Sequence, residues 1–137
     1  LARAVRADKA CLAGVTATLL HYLRDEAERE IPVWRMISMS TEQAQSRAQG
    51  WADALGYGSV EAAESTVGGG SLPGETMKTY VLSLETKRTN LFLKKLREQD
   101  PPIIARTEAQ KVLLDPRTVL REQDALLLAG LRTAGSG

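Results

Sequence analysis

The residues best suited to chemistry lie in one short stretch, Glu64 to Glu75, which reads ESTVGGGSLPGE. Three hydroxyl residues flank three consecutive glycines: Ser65, Thr66, Ser71, Gly68, Gly69 and Gly70. Hydroxyls donate and accept hydrogen bonds, and glycine N–H groups can approach a bound anion closely because no Cβ intervenes. The pattern predicts either a loop that closes over a ligand or a flexible hairpin loop without one.

The residues on either side of the glycines favour a packed loop over a linker. Val67 and Leu72 place apolar side chains on both sides of the glycines, whereas a flexible linker is rich in Gly and Ser throughout. The stretch is also not a known phosphate cradle, since it lacks GxxxxGK[ST], and no GxGxxG opens a helix here. Pro73 and Gly74 then predict a turn into a strand.

Two arginines near the start of the chain also have a side chain that can bind a ligand. Arg3 and Arg6 stand three apart at the approach to the first helix. A guanidinium group stays charged and binds phosphate or carboxylate through two parallel hydrogen bonds. Taken alone, however, the spacing of Arg3 and Arg6 favours an exposed pair without a ligand.

Composition narrows the class of protein. The 137 residues carry a net charge of +1 and are 43% hydrophobic, which predicts one globular domain over residues 1–137. Cys11 and His21 are the only residues of their types, so neither a disulfide framework nor a zinc site is expected, and a reducing cytoplasm suits the chain. No apolar run is long enough to span a membrane. The absence of an initiator methionine suggests a fragment.

Apolar periodicity and caps define the elements that position these residues. Helices are predicted over about 8–29, 41–55, 89–98 and 122–132, and strands over about 58–66, 77–85, 103–106 and 111–114. Residues 31–39 read as an apolar connector with a buried Trp34, Thr89 as a helix cap, and residues 134–137 as a frayed tail. The order α-α-β-β-α-β-β-α predicts an α+β fold, an antiparallel sheet with helices on one face.

Four separated stretches, in the same order, resemble bacterial selenocysteine synthase, the L-seryl-tRNA(Sec) selenium transferase family. They span nearly the whole chain: RAVRADK leading into CLAGVTATL, IPVWRMIS, ESTVGGGSLPGE, and PPIIARTEAQKVLLDPRTVL. The resemblance implies the small C-terminal domain of a fold-type I enzyme that uses pyridoxal phosphate. It also implies that seryl-tRNA(Sec) loses water and that selenophosphate then donates selenium to form selenocysteinyl-tRNA(Sec).

The resemblance also implies where the cofactor lysine lies. In this family that lysine belongs to a GDK segment followed by LLGGPQAG, in the large domain. Here Lys9 stands in ADK followed by ACLAGVTA, which does not match. The Schiff-base lysine and the large domain are therefore expected upstream of Leu1, so that this chain alone contains no catalytic residue and is inactive.

The family's pattern assigns roles to the candidate residues. Arg3 and Arg6 match two arginines that bind the phosphate of the selenium donor. The glycine loop is expected either to close over an active site, of its own or a neighbouring subunit in a homo-oligomer, or to form a structural subunit contact. Arg106 is expected to be structural or to hold phosphate or RNA, because the carboxylate of an aminoacyl-tRNA is esterified.

Two other functions remain open on the sequence. One is a related pyridoxal-phosphate lyase or transferase that acts on a small amino acid, in which Arg106 would hold the free carboxylate. The other is a non-catalytic α+β interaction module, which would have a complete core and no exposed apolar face.

Overall fold

The computed structural model describes residues 7–68 and 74–135. The chain divides into two compact units, Leu1–Ser38 and Met39–Gly137. No helix in the described ranges is long and apolar enough to cross a membrane.

In residues 7–38, the described part of the first unit, the chain forms three helices: α1 (Lys9–Leu23), α2 (Ala27–Glu30) and α3 (Pro32–Ile37). Asp8 caps α1, as predicted, by accepting a hydrogen bond from the Cys11 N–H at 2.8 Å. The predicted continuous helix to Arg29 is wrong, because Asp25 adopts φ +55° and ends the helical path.

Residues 31–39 also differ from the prediction. Pro32 occupies the first turn of α3, where its missing N–H costs nothing, so most of the expected connector is helical. Trp34 is 37% exposed rather than buried, and its indole N–H donates to the Tyr22 hydroxyl.

The second unit begins with α4 (Thr41–Leu55), and this helix confirms its prediction. Ser40 and Gln43 form the expected capping box, in which the Ser40 N–H donates to Gln43 Oε1 at 3.0 Å and the Gln43 N–H to Ser40 Oγ at 3.2 Å. Gly56 ends the helix at φ +77°, a conformation that glycine adopts without the steric cost of a Cβ.

Four antiparallel strands form one sheet in the order β1-β2-β4-β3. Their bounds are β1 Ser59–Thr66, β2 Thr76–Glu85, β3 Arg106–Glu108 and β4 Lys111–Leu114. The predicted pairing of the two strands that flank the glycine loop is confirmed, with Ser59 opposite Ser83 and Thr66 opposite Thr76. Ala109 and Gln110 join β3 to β4 with positive φ angles of 47° and 65°, as a tight hairpin turn requires.

The strand predicted over residues 103–106 is displaced to Arg106–Glu108. The Ile103 N–H donates to the Leu96 carbonyl at 2.9 Å, and the Ile103 side chain packs against Gly130. These contacts bind the segment to helices instead of to β4, so the strand begins only at Arg106.

Two further helices complete the unit, α5 (Thr89–Arg97) and α6 (Asp124–Gly135). Thr89 does not cap α5, because its hydroxyl donates to the Gln110 carbonyl at 2.9 Å and Arg88 occupies the N-cap position. A 3₁₀ turn, Arg121–Gln123, precedes α6 where the helix was expected to begin. Ala134, predicted to lie in a frayed tail, is 3% exposed within α6.

The core confirms the predicted α+β architecture. Residues of α4, α5 and α6 pack on one face of β2 and β4. The cluster comprises Trp51, Ala52, Leu82, Leu84, Phe92, Leu96, Val112, Leu114, Leu127, Leu131 and Ala134. Leu82 lies opposite Leu114, and Leu84 opposite Val112, so the strand residues share one face of the sheet.

Candidate functional site

A cavity of about 560 Å³ lies where β1 ends and β3 begins. Its described polar lining residues are Ser65, Thr66, Arg106, Asp115, Thr118 and Gln123. Most of the remaining wall is apolar and includes Pro101, Pro102, Ile103, Ile104, Val119, Leu126 and Leu127. A concave, mainly apolar surface with a few polar groups is the usual form of a small-molecule site.

Arg106 provides the cation of this cavity. It starts β3, and its Nη1 donates to the Glu64 carbonyl oxygen of β1 at 2.9 Å, across the sheet. Within residues 7–68 and 74–135 it forms no ion pair with a carboxylate. The single bond to Glu64 leaves other guanidinium N–H groups that could donate to an anion.

The hydrogen bond from Arg106 to the Glu64 carbonyl connects two candidates, Arg106 and the stretch that carries the glycine loop. Glu64 is the first residue of the stretch that carries the glycine loop, and Ser65 and Thr66 follow it at the end of β1. Ser65 is buried, whereas Thr66 and Arg106 are exposed. The structure therefore brings the stem of the glycine loop and Arg106 to one cavity, although 42 positions separate Glu64 from Arg106 in the sequence.

Asp115 adds a buried carboxylate that sequence reasoning missed. Its Oδ1 accepts hydrogen bonds from Thr79 Oγ1 at 3.0 Å and from the Arg117 N–H at 2.9 Å. Its backbone carbonyl accepts from the Thr118 hydroxyl at 2.8 Å. In the sequence it is a lone aspartate between an apolar strand and Pro116, a position typical of the end of a strand. These bonds fix the turn that forms one wall of the cavity.

Several predicted site residues lie outside the described residues. Arg3, Arg6, Gly69, Gly70 and Ser71 belong to this group, so their roles stay predictions.

The six lysines of the sequence, Lys9, Lys78, Lys87, Lys94, Lys95 and Lys111, all lie in the described ranges. None of the described residues that line the cavity is a lysine. Lys111 donates to Glu61 Oε1 at 2.7 Å, and this bond raises the pKa of the Lys111 ammonium, which disfavours the neutral amine that imine formation requires. The described cavity therefore does not supply the lysine anchor of a pyridoxal-phosphate site.

Cys11 and His21 also behave as structural or surface groups in the described chain. Cys11 is an exposed free thiol, and His21 Nδ1 lies 2.9 Å from Glu26 Oε1. No group of His, Cys, Asp and Glu side chains in residues 7–68 and 74–135 could hold a metal ion.

Comparison with known proteins identifies the family. A sequence profile of the L-seryl-tRNA selenium transferase family matches residues 1–120. The L-seryl-tRNA(Sec) selenium transferase of Maridesulfovibrio salexigens is 40% identical over 90% of this chain and 29% of its own length. The proteins of the same name from Desulfovibrio desulfuricans and Clostridium perfringens are 39% and 35% identical, and each alignment covers 98% of this chain.

The chain spans about a third of these relatives, since the alignments cover 31% of the Desulfovibrio desulfuricans and Clostridium perfringens proteins. The profile covers far more than half of the chain, and the three relatives align with nearly all of it. The chain therefore belongs to the L-seryl-tRNA selenium transferase family.

Proposed function

We propose that this chain is the C-terminal part of a pyridoxal-phosphate enzyme that converts seryl-tRNA(Sec) to selenocysteinyl-tRNA(Sec) with selenophosphate. The observation that carries the proposal is the meeting of Ser65, Thr66 and Arg106 at one cavity in a member of this family. The names of the relatives supply the reaction and the tRNA substrate.

The cofactor and the reacting centre belong, in this proposal, to the large domain that accounts for the remaining length of the relatives. When bound, pyridoxal phosphate supplies the electron sink for loss of the seryl hydroxyl. The present chain contributes the small-domain wall: Ser65 and Thr66 offer hydroxyls, and Arg106 offers a positive charge. Without the large domain the chain is inactive.

Arg3 and Arg6 are proposed to bind the phosphate of the selenium donor, and the glycine loop to close over the active site of its own or a sister subunit. Bidentate guanidinium bonds suit a phosphate group, and glycine N–H groups suit an anion. The enzyme is placed in the cytoplasm, where a free thiol such as Cys11 stays reduced.

The test uses the full-length protein that contains this chain. Purified protein should show a visible absorbance band that borohydride abolishes, and should transfer selenium from selenophosphate to seryl-tRNA(Sec). Replacing both Arg3 and Arg6 by Gln should raise the KM for selenophosphate more than that for tRNA. Absence of the band would leave the non-catalytic interaction module as the function.

One observation favours a second candidate. Arg106 lines the cavity without a carboxylate partner in the described residues, an arrangement that also suits the free carboxylate of a small amino acid. A lyase or transferase of this kind would use free serine or cysteine and ignore seryl-tRNA. Turnover of a free amino acid, with loss of turnover in Arg106→Gln, would favour it over the tRNA enzyme.

A further inference from the structure

The strongest charge feature outside the cavity is a run of basic residues that contains no carboxylate. Residues 86–97 carry five cations, Lys87, Arg88, Lys94, Lys95 and Arg97, and neither Asp nor Glu. The run begins directly after β2 and continues through α5. In a chain with a net charge of only +1, this segment is a local concentration of positive charge.

Three of these cations face one groove of about 470 Å³, lined by Lys87, Arg88 and Lys95 together with Tyr57, Leu91 and Phe92. We call it the basic groove. Lys87 and Arg88 are exposed and form no ion pair within the described residues. Glu85 places one carboxylate at the edge of the groove, and this carboxylate also pairs with Lys111, whose Nζ lies 3.8 Å from Glu85 Oε1.

The groove also presents an aromatic surface. Tyr57 is 44% exposed, and Leu91 beside it is exposed as well. Partial burial raises the pKa of the Tyr57 phenol, so the ring stays neutral and adds no negative charge to the groove. A groove that combines cations with an exposed ring is one means by which proteins hold a nucleic-acid backbone and stack a base.

We infer that the basic groove binds RNA, with Lys87, Arg88 and Lys95 contacting phosphates and Tyr57 stacking on a base. The inference rests on the proposed function for its choice of RNA, namely the seryl-tRNA substrate. An acidic protein would satisfy the cations equally well but would leave the exposed ring of Tyr57 without a planar partner.

The test measures binding of the full-length protein to seryl-tRNA(Sec) across a salt series. The variant Lys87→Gln/Arg88→Gln/Lys95→Gln should bind about tenfold or more weakly at low salt, since it no longer neutralises the phosphates in the groove. Its slope of log Kd against log salt should fall by about 1 for each phosphate that the variant leaves unneutralised, to a total of about 3. Selenium transfer at saturating tRNA should keep its kcat, while the KM for tRNA rises.

A matched control is Lys94→Gln, which removes an exposed cation from the same helix but not from the groove. It should change the salt slope by clearly less than one third of the effect of the triple variant. Tyr57→Phe should bind as the wild type does, whereas Tyr57→Leu should weaken binding by roughly tenfold. Circular dichroism of each variant checks that the fold is intact.

Each contrary result has one meaning. If Lys94→Gln loses as much binding free energy as the triple variant loses per cation removed, the attraction is nonspecific. That result would overturn the inference. Displacement of tRNA by polyglutamate at equal charge would show a general anion surface and overturn it too. Selenium transfer with an unchanged KM and salt slope in the triple variant would refute the RNA groove and leave the proposed function standing. RNA binding that depends on the groove, in a protein that transfers no selenium, would support the RNA groove and refute the proposed function.

Discussion

Arg47 is the residue whose removal should destabilise the second unit most clearly. Its side chain is 7% exposed, and its Nε donates to both carboxylate oxygens of Asp124, at 3.1 and 3.0 Å. Its Nη1 donates to the carbonyls of Pro116 and Val119, at 2.7 Å each, and the guanidinium carbon lies 5.1 Å from the centre of the Trp51 ring. One cation therefore joins α4 to the start of α6 and to the turn between β4 and α6.

The size of the effect follows from what Arg47→Met leaves behind. The Val119 carbonyl loses its described donor, at about 1 to 3 kcal/mol if water does not replace it, whereas the Pro116 carbonyl still accepts from the Val119 N–H at 3.4 Å. Asp124 loses its cation but is partly exposed, so water can solvate it. The total should be about 2 to 4 kcal/mol, because the substitution leaves one buried carbonyl without its donor but no charge without solvent. Such a loss is a large fraction of the stability of an ordinary domain.

Urea unfolding of the chain, followed by far-ultraviolet circular dichroism, measures this loss of stability. Asp124→Asn should cost less than Arg47→Met, because the amide oxygen still accepts a hydrogen bond and both carbonyls keep their donor. The control Lys94→Met removes an exposed pair with Glu98 and should cost less than about 1 kcal/mol. A cost below about 1 kcal/mol for Arg47→Met would refute the view that this network holds α6 in place.

Three further predictions concern a helix, an ion pair and the cavity. Gly50 lies in the interior of α4 with open space around it, so Gly50→Ala should raise the free energy of unfolding in urea by about 0.5 to 1 kcal/mol. Gly56 has φ +77°, so Gly56→Ala should lower the free energy of unfolding by about 1 to 2 kcal/mol. The hydrogen bond from Lys111 lowers the pKa of Glu61, so this pair should stabilise the fold at pH values above the usual glutamate pKa. Glu61→Gln should therefore be less stable than the wild type at those pH values. In acid titrations this difference in stability should disappear as the pH falls through the lowered pKa of Glu61. Under the proposed function, Arg106→Gln in the full-length protein should reduce kcat/KM for selenium transfer about ten- to a hundredfold, as expected for loss of a charged hydrogen bond. Arg106→Lys should recover part of it, and an unchanged value would make Arg106 purely structural.

Elements that depend on local chemistry were predictable from the sequence. The capping box of Ser40 and Gln43 and the stop at Gly56 define both ends of α4, and alternating residues after the glycine loop define β2, which pairs with β1 as predicted. Each of these signals lies within a few residues of the element that it specifies. The fold class followed from such local elements.

Errors arose where contacts distant in sequence determine the backbone. The bond from the Ile103 N–H to Leu96 and the packing of Ile103 on Gly130 keep residues 103–105 out of the sheet. The break after α1 is instead local: Asp25 adopts φ +55°, and His21 Nδ1 lies 2.9 Å from Glu26 Oε1, neither of which the apolar period indicated. Neither pairing leaves a periodic trace in the sequence.

The residues of the candidate site were predictable only in part, because their arrangement depends on contacts in the folded chain. The residue types of the glycine loop and Arg106 marked them as candidates, but the bond from Arg106 to the Glu64 carbonyl, which places them at one cavity, depends on the order of all four strands. Asp115 was missed because a single buried carboxylate has no spacing to recognise, and its meaning depends on Thr79 in another strand.

The position of the basic groove relative to the cavity limits what bound RNA can do. Ser65 lies opposite Met77 near the start of β2, whereas Glu85, at the end of that strand, borders the groove. The extended backbone from Met77 to Glu85 spans roughly 27 Å. The end of the cavity at Ser65, where Arg106 bonds to the Glu64 carbonyl, is therefore remote from a nucleotide held at Lys87 and Arg88. The opposite wall of the cavity lies nearer to the groove, since Leu113 and Leu114 pair with Ser83 and Leu82. Changes in the groove should accordingly alter the affinity for tRNA, while changes at Arg106 should alter the chemical step or the binding of the group that reacts.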